Sequence, residues 1–245
     1  MTFLRSFATR AAKSVFTSLG LKVRRMPARQ IRSEFDWLKK LNIRTFLDVG
    51  ANSGQSVRLF RDMFPKAHIH SFEPLADLAE NIRAQFAGDS RLTVHQTALG
   101  AKKETASIQR SAYSQSSSLL EMNPLHRRHF PHTSKTHRET IDVQTLDDLW
   151  PTLGAKKEVL LKIDVQGFEK FVLQGARRSL RHIRIIIVEV SLIPLYRGEA
   201  MAEEIHRSLL KEGFHYAGSF DQLLSPIDGE ILQQDAIYIK RAGKR

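Results

Sequence analysis

From residue 44 onward, short apolar runs alternate with amphipathic helical patterns, and this alternation constrains the fold more than any other feature of the chain. Residues 45–49, 68–72, 92–99, 158–164 and 183–190 read as buried strands. Residues 53–64, stopped by Pro65, then 74–86 and 168–180 carry the three- and four-residue spacing of helices. Strands alternating with helices at this interval build right-handed βαβ units around a mostly parallel sheet. The expected class is therefore a doubly wound α/β fold. Residues 199–211 predict an amphipathic helix with Ala202, Ile205, Leu209 and Leu210 on one side. Residues 214–219 and 236–240, joined by a turn at 226–229, read as an antiparallel pair closing one edge.

The middle of the chain breaks this rhythm. Residues 105–110 alternate like an exposed strand, and alternation resumes at 140–143, with a short helix near 146–150. Between them, residues 110–138 are rich in Ser, His and Arg with little apolar periodicity, which predicts a lid or acceptor-binding loop. The 245 residues suffice for one large domain, expected over residues 34–245. There is no cysteine, which excludes disulfides, Cys-ligated metal and a thiol nucleophile. No apolar run approaches the ~20 residues that span a bilayer, so a cytoplasmic protein is expected.

The net charge of +12 is uneven: residues 1–33 hold eight Lys and Arg and no acid. Phe3, Leu4, Phe7, Ala11, Val15 and Leu19 give this basic extension helical spacing. A packed helix, a membrane-surface helix that would make the protein peripheral, and a transit peptide all fit it.

Three constellations carry chemistry. The first is Asp48-x-Gly50-x-Asn52-x-Gly54 between a strand and a helix, where glycines let a ligand approach backbone at the carboxyl end of a strand. Asn52 and Gln55 depart from the G-x-G-x-x-G of a dinucleotide loop. Asp48 also repels a pyrophosphate, and suits the ammonium of S-adenosylmethionine. The second is Glu73, about 20 residues on, where an acid takes ribose hydroxyls in this architecture; helix capping is its plainer use. Ala98 and Leu99 would flank the adenine or serve as core. The third is Lys162-Ile163-Asp164-Val165-Gln166-Gly167-Phe168-Glu169, which sets Asp164 at the rim of the sheet and Glu169 in the first turn of a helix. Glu189, inside an apolar run, needs a polar partner.

Together FLDVGANSG, SFEP, TALG, SSL, LKIDVQGFE and IIIVEVS, spread over residues 46–190, resemble the FkbM family of S-adenosylmethionine-dependent O-methyltransferases. The resemblance implies a Rossmann-like class I methyltransferase with a seven-stranded, mostly parallel sheet, an antiparallel edge strand and helices on both faces. It implies cofactor contacts at Asp48, Gly50, Asn52, Gly54 and Glu73, and a functional carboxylate pair at Asp164 and Glu169. Many members carry Glu where this chain has Gln166, so a third carboxylate there is in doubt. Members of the family methylate hydroxyls of polyketides and of sugars, including deoxysugars of glycolipids and nodulation-signal oligosaccharides.

An acceptor alcohol must lose its proton, and a placed base contributes about 10²–10⁴-fold. Asp164 is the first candidate, with Glu189 beside it. His126, His129, His132 and His137 offer a second, with an ordinary pKa suited to neutral pH. A divalent metal on Asp164 and Glu189 would be a third route, though no metal is predicted. Nucleic-acid binding or RNA methylation is the rival function, because the pI is about 10. Against it, aromatics are sparse in the basic segments and no recognition motif for base stacking is present.

Overall fold

The computed structural model describes residues 36–240. The expected basic extension, residues 1–33, lies outside the described residues. Two compact units divide the chain at Lys40 and Leu41. The described part of the first is one helical turn, α1 (Asp36–Lys39).

The second unit is built on a seven-stranded sheet. In chain order its elements are β1 (Thr45–Val49), α2 (Gln55–Met63), β2 (His68–Phe72), α3 (Ala76–Gln85) and β3 (Leu92–His95). Next come β4 (Ala98–Leu99), β5 (Glu104–Ser111), α4 (Pro124–His129), β6 (Thr136–Gln144) and α5 (Leu146–Leu149). β7 (Val159–Ile163), α6 (Glu169–Gln174), β8 (Ile183–Ser191), α7 (Ala202–Lys211), β9 (His215–Leu224) and β10 (Ile231–Ile239) complete the unit. The sheet order is β3-β2-β1-β7-β8-β10-β9. All neighbours are parallel except at β10, which runs antiparallel between β8 and the edge strand β9. The order reverses between β1 and β7, and such a switch point opens a crevice at the carboxyl ends of the strands.

Period-two alternation distributes the side chains. Leu47, Val49, Leu161, Ile163 and Val188 join the core beneath α6 and α7, through Val172, Leu173, Ile205 and Leu209. On the opposite face, Phe46 stacks on Phe60 of α2 with ring centroids 4.3 Å apart. Asp48 shares that face, and the register β1–β7 sets Lys162 directly beside it. Asp164 follows two residues later. Glu189 on β8 stands opposite Asp235 on β10. One parity therefore gathers five ionisable groups on one face of an otherwise apolar sheet.

The structure revises three elements. Residues 92–99 are not one strand: Thr97 turns the chain, its Oγ1 donating to Asp142 O at 3.0 Å. Ala98 and Leu99 thereby leave the main sheet and pair with β6, in a three-stranded sheet ordered β4-β6-β5. Residues 110–138 are structured between β5 and β6. They hold helix α4, capped by Asn123 through Leu125 N, and 3₁₀ turns at Ser114–Ser116 and Pro131–Thr133. The helix expected over residues 168–180 ends at Gln174, because Gly175 packs against Gly100 and the carboxylate of Asp147 takes the amides of Arg178 and Ser179. Among the described residues, no helix is long and apolar enough to cross a membrane.

A Cβ at Gly175 would lie 1.9 Å from Gly100 O, so the end of α6 and the end of β4 approach through backbone alone. Gly175→Ala is expected to cost about 1–3 kcal/mol, the usual cost of overpacking, read as a lower urea midpoint with an unchanged slope.

Candidate active site

A cavity of about 660 Å³ opens at the carboxyl ends of the strands. Its first wall is the turn after β1. Gly50 has φ +83°, and a Cβ there would lie 1.9 Å from Asp164 O, so only glycine lets β1 and β7 close at this point. Asn52 also adopts a left-handed backbone, with φ +49°. Its N–H donates to Glu73 Oε2 at 2.8 Å, while Glu73 Oε1 accepts from Leu75 N at 2.9 Å. Each carboxylate oxygen keeps a second lone pair, and Glu73 lines the cavity. Burial pushes its carboxyl up to about 7. Gly50, Asn52, Ala98 and Leu99 line the same cavity.

Asp48 and Gly54 do not line it. Asp48 is fully buried, neither carboxylate oxygen has a hydrogen-bond partner, and burial against the pull of Lys162 raises its carboxyl to about 7. Gly54 (φ +81°) starts α2, and its Cβ position meets Phe86 at 3.1 Å. Their expected direct contacts with a ligand are therefore corrected to support of the turn.

The second wall is charged. Lys162 Nζ lies 2.7 Å from Asp164 Oδ2, and Gln166 Nε2 donates to Asp164 Oδ1 at 3.0 Å. The same Nε2 donates to Glu189 Oε2 at 2.8 Å, which also accepts from Gln233 Nε2 at 3.1 Å. Burial opposes ionisation of Asp164, yet the Lys162 ammonium and the Gln166 amide hold its carboxyl below the ordinary value. Burial, then the charges of Asp164, Glu169 and Asp235, push Glu189 well above its own. The pair thus joins a carboxyl held below its ordinary value to one pushed well above it. Burial raises Asp235 to about 6. Burial opposes the charge of Lys162, but Asp164, Asp235 and Asp48 hold its ammonium above the ordinary value.

Oxygens of Asp164, Glu189 and Asp235 come within 4.8 Å of one another, close enough for one cation to bridge. The chain already supplies a cation and two amides to these groups, through Lys162, Gln166 and Gln233. The cluster therefore reads as proton-handling chemistry.

Glu169 does not line the cavity. Its Oε1 accepts from Val165 N at 3.0 Å and Gly167 N at 3.2 Å, closing the turn that carries Gln166. Burial raises its carboxyl to about 8. Glu169, expected as a catalytic residue, thus stands behind the cavity wall, where these bonds shape the turn.

The histidines divide. His126 and His132 line the cavity, whereas His129 Nδ1 lies 3.1 Å from Ser225 Oγ and His137 is exposed on β6. Thr133 Oγ1 donates to Phe130 O at 2.7 Å, so it accepts from His126 Nε2–H at 3.1 Å. His126 Nδ1 is then an unprotonated, buried nitrogen without a partner. Burial, then the charges of His132, Arg127 and His129, lower its pKa to about 4. His126 is therefore not the neutral-pH base its ordinary pKa implies.

Sequence reasoning assigned no role to Lys162, Asp235, Gln233 or Tyr196. Lys162 carried a signal, since an ammonium inside an apolar strand requires partners. Asp235 lay outside the strand expected at 236–240.

Residues 48–216 match the methyltransferase FkbM domain. The chain belongs to the FkbM methyltransferase family. The 2-O-methyltransferase NoeI of Sinorhizobium fredii is 26% identical over 159 residues, covering 62% of this chain and 65% of that protein's length. The O-methyltransferase TomG from Streptomyces achromogenes, solved in complex with SAM, aligns with a TM-score of 0.50 at 12% identity, over 96% of this chain and 89% of that one. That likeness establishes the shared fold.

Lys162→Met would leave Asp48, Asp164 and Asp235 without their ammonium. The expected loss is about 3–5 kcal/mol at neutral pH. Without the lysine these carboxyls rise above their unfolded values, and such groups lose stability as pH rises. Urea unfolding should show the deficit growing from pH 5 to 8, through the region around 6 and 7 where Asp235 and Asp48 already sit.

Proposed function

We propose that the chain is an S-adenosylmethionine-dependent O-methyltransferase whose acceptor is a sugar hydroxyl, such as that of a deoxysugar on a glycolipid or signalling oligosaccharide. The observation that carries this reading is the pair Asp164 and Glu189, bridged by one amide in the cavity that also holds the glycine turn and Glu73. The cofactor suits the charge of the site. Besides the high-pKa Glu189, the carboxyls of Glu73, Asp164, Asp221 and Asp235 line the cavity, and Lys162 is the one ammonium among its described lining residues, although the chain as a whole carries +12. S-adenosylmethionine bears a sulfonium and an ammonium against one carboxylate, and a cation at that end would favour ionisation of the unpartnered Asp48 beneath the turn. Glu73 has lone pairs for the ribose hydroxyls, and Ala98 and Leu99 supply an apolar surface for the base.

When bound, the cofactor supplies an electrophilic methyl group, which passes to an alcohol oxygen as the carbon–sulfur bond breaks. The chain's task is to hold that oxygen about 3–3.5 Å away, and positioning of this kind contributes roughly 7–11 kcal/mol. The alcohol's proton goes to Asp164, and Glu189 donates a hydrogen bond from its protonated oxygen. Gln222, Gln233 and Gln234 add amide donors and acceptors to this wall, which favours a hydroxyl-rich acceptor over an apolar polyketide. The same acidic wall opposes a phosphate-bearing acceptor such as RNA. The relative NoeI, named a 2-O-methyltransferase, supports transfer to oxygen. Residues 112–135, with Ser114–Ser118 facing the cavity, are read as the acceptor cover of this domain.

Calorimetric titration with S-adenosylmethionine should show micromolar binding that tightens from pH 6 to 8. The sign follows from Glu73: hydroxyl donors favour its ionised form, and its carboxyl titrates at about 7. Glu73→Gln should weaken binding about 10–100-fold, or roughly 1.4–2.8 kcal/mol, and flatten the pH slope. A folded wild-type chain that binds no cofactor would refute the reading.

A further inference from the structure

The amide of Gln166 is where the carboxylates, a buried tyrosine and the cover segment meet. Its Nε2 donates to Asp164 Oδ1 at 3.0 Å and to Glu189 Oε2 at 2.8 Å. Its Oε1 accepts from Tyr196 Oη at 2.8 Å, and its backbone carbonyl accepts from Ser118 Oγ at 2.6 Å. Chemistry fixes the amide's orientation, because a reversed amide would turn its carbonyl oxygen toward two carboxylates. The backbone is equally committed. Gln166 has φ +55°, uncommon for a residue with a long side chain, and Gly167 follows at φ +94°. A Cβ at Gly167 would sit 3.0 Å from Cβ of Tyr196, so the turn presses against that side chain. Strain of this kind persists only where surroundings over-determine it, and it concentrates at functional sites.

We propose that Gln166 is a positioning residue for proton transfer: one amide group clamps Asp164 and Glu189 together and requires from each an oxygen that carries no proton. The proposal rests on the methyl-transfer reading above for its purpose, and on these hydrogen bonds for its substance. Two carboxylates that share one amide, at neighbouring strands of the sheet, disfavour joint ionisation unless a cation compensates. Lys162 from β7 compensates Asp164 through Oδ2 alone. The carboxyls of Asp48 on β1, Asp235 on β10 and Glu169 on α6 surround the pair and make a second ionisation there costlier, and Tyr196 faces it with a hydroxyl. The clamp sorts the pair. Glu189 keeps its proton on the oxygen turned away from the amide, and Asp164 stays open to the hydrogen of an incoming hydroxyl. Removing the amide's hydrogens leaves Asp164 with half its donors, and the pair's shared proton then moves toward the group that must receive the substrate's.

The test needs no acceptor. Side-chain carboxyls labelled with ¹³C are followed by NMR against pH in the full chain, with Asp164→Asn and Glu189→Gln to assign the signals. In the wild type, Asp164 should titrate below an ordinary aspartate. In Gln166→Leu it should become about tenfold less acidic, a rise of about one pH unit. Gln166→Glu, which keeps the side chain's size and exchanges the donor for a third carboxylate, should produce a rise at least as large. It carries the test if the leucine variant fails to fold. Tyr196→Phe leaves both amide donors in place and should shift Asp164 by less than half as much. An Asp164 titration unchanged in a folded Gln166 variant overturns the proposal, as does a shift in Tyr196→Phe equal to that in Gln166→Leu. Calorimetry with S-adenosylmethionine on the same samples keeps the two readings apart. Absent cofactor binding would remove the methyltransferase reading while the NMR result still decides the clamp.

Discussion

The ammonium of Lys162 is the interaction around which the candidate site is organised. It lies in the middle of a strand that is otherwise Val, Leu, Leu and Ile, buried to 6% exposure, where an unpaired charge would be prohibitively costly. The strand register surrounds it with carboxylates: Asp48 directly beside it on β1, Asp164 two residues along its own strand, and Asp235 two strands away. Neither sign is stable there alone. The lysine makes the acids tolerable at the sheet's rim, and the acids make the lysine tolerable beneath it. Such an arrangement is weak evidence for stability, since buried ion pairs often only break even against apolar packing. It is stronger evidence for a site that must hold negative charge where a cationic ligand and a proton are handled.

The remaining polar groups follow from that centre. With Asp164 neutralised on one side by lysine, the Gln166 amide can reach across to Glu189, and Gln233 satisfies Glu189 from the next strand. Glu169, buried with its Oε1 on two backbone amides, shapes the turn that presents Gln166. Glu73 does similar work at the other wall, where its two oxygens hold the turn at Asn52 and the start of α3. Each of these acids bonds to backbone and also builds the architecture of the cavity. The difference between Glu73 and Glu169 lies in placement: one lines the space and the other stands behind it.

Much of this was legible in local pattern. The apolar runs at β1, β7 and β8 lie in the interior of the mostly parallel sheet, where both faces are covered and strands are nearly continuously hydrophobic. Polar residues that interrupt such runs or end them, among them Glu73, Asp164 and Glu189, could be singled out because burial makes them expensive. The glycine turn was legible for a similar reason, since only glycine tolerates the approach of Asp164 O to Gly50. What could not be read were contacts between distant segments. The pairing of Ala98 and Leu99 with β6 depends on Thr97 reaching Asp142, 45 residues later. The order of residues 112–135 depends on bonds such as Asn123 N to Leu195 O, which no local periodicity encodes. The end of α6 is set by a backbone contact with Gly100, 75 residues away in sequence.

The sequence by itself determined the fold class, the succession of the main strands along the chain, the glycine turn and three of the acids at the rim, Glu73, Asp164 and Glu189. These are consequences of period, burial cost and glycine geometry, all of which act within a few residues. Tertiary structure alone decided which carboxyl is held low and which is pushed up, which faces the cavity and which closes a turn. Those outcomes depend on distances between charges on different strands, and a carboxyl's proton responds to every charge within a few ångströms regardless of its place along the chain. Asp164 and Glu169 are five residues apart and chemically alike, yet one meets a lysine at the rim while the other meets backbone amides beneath it.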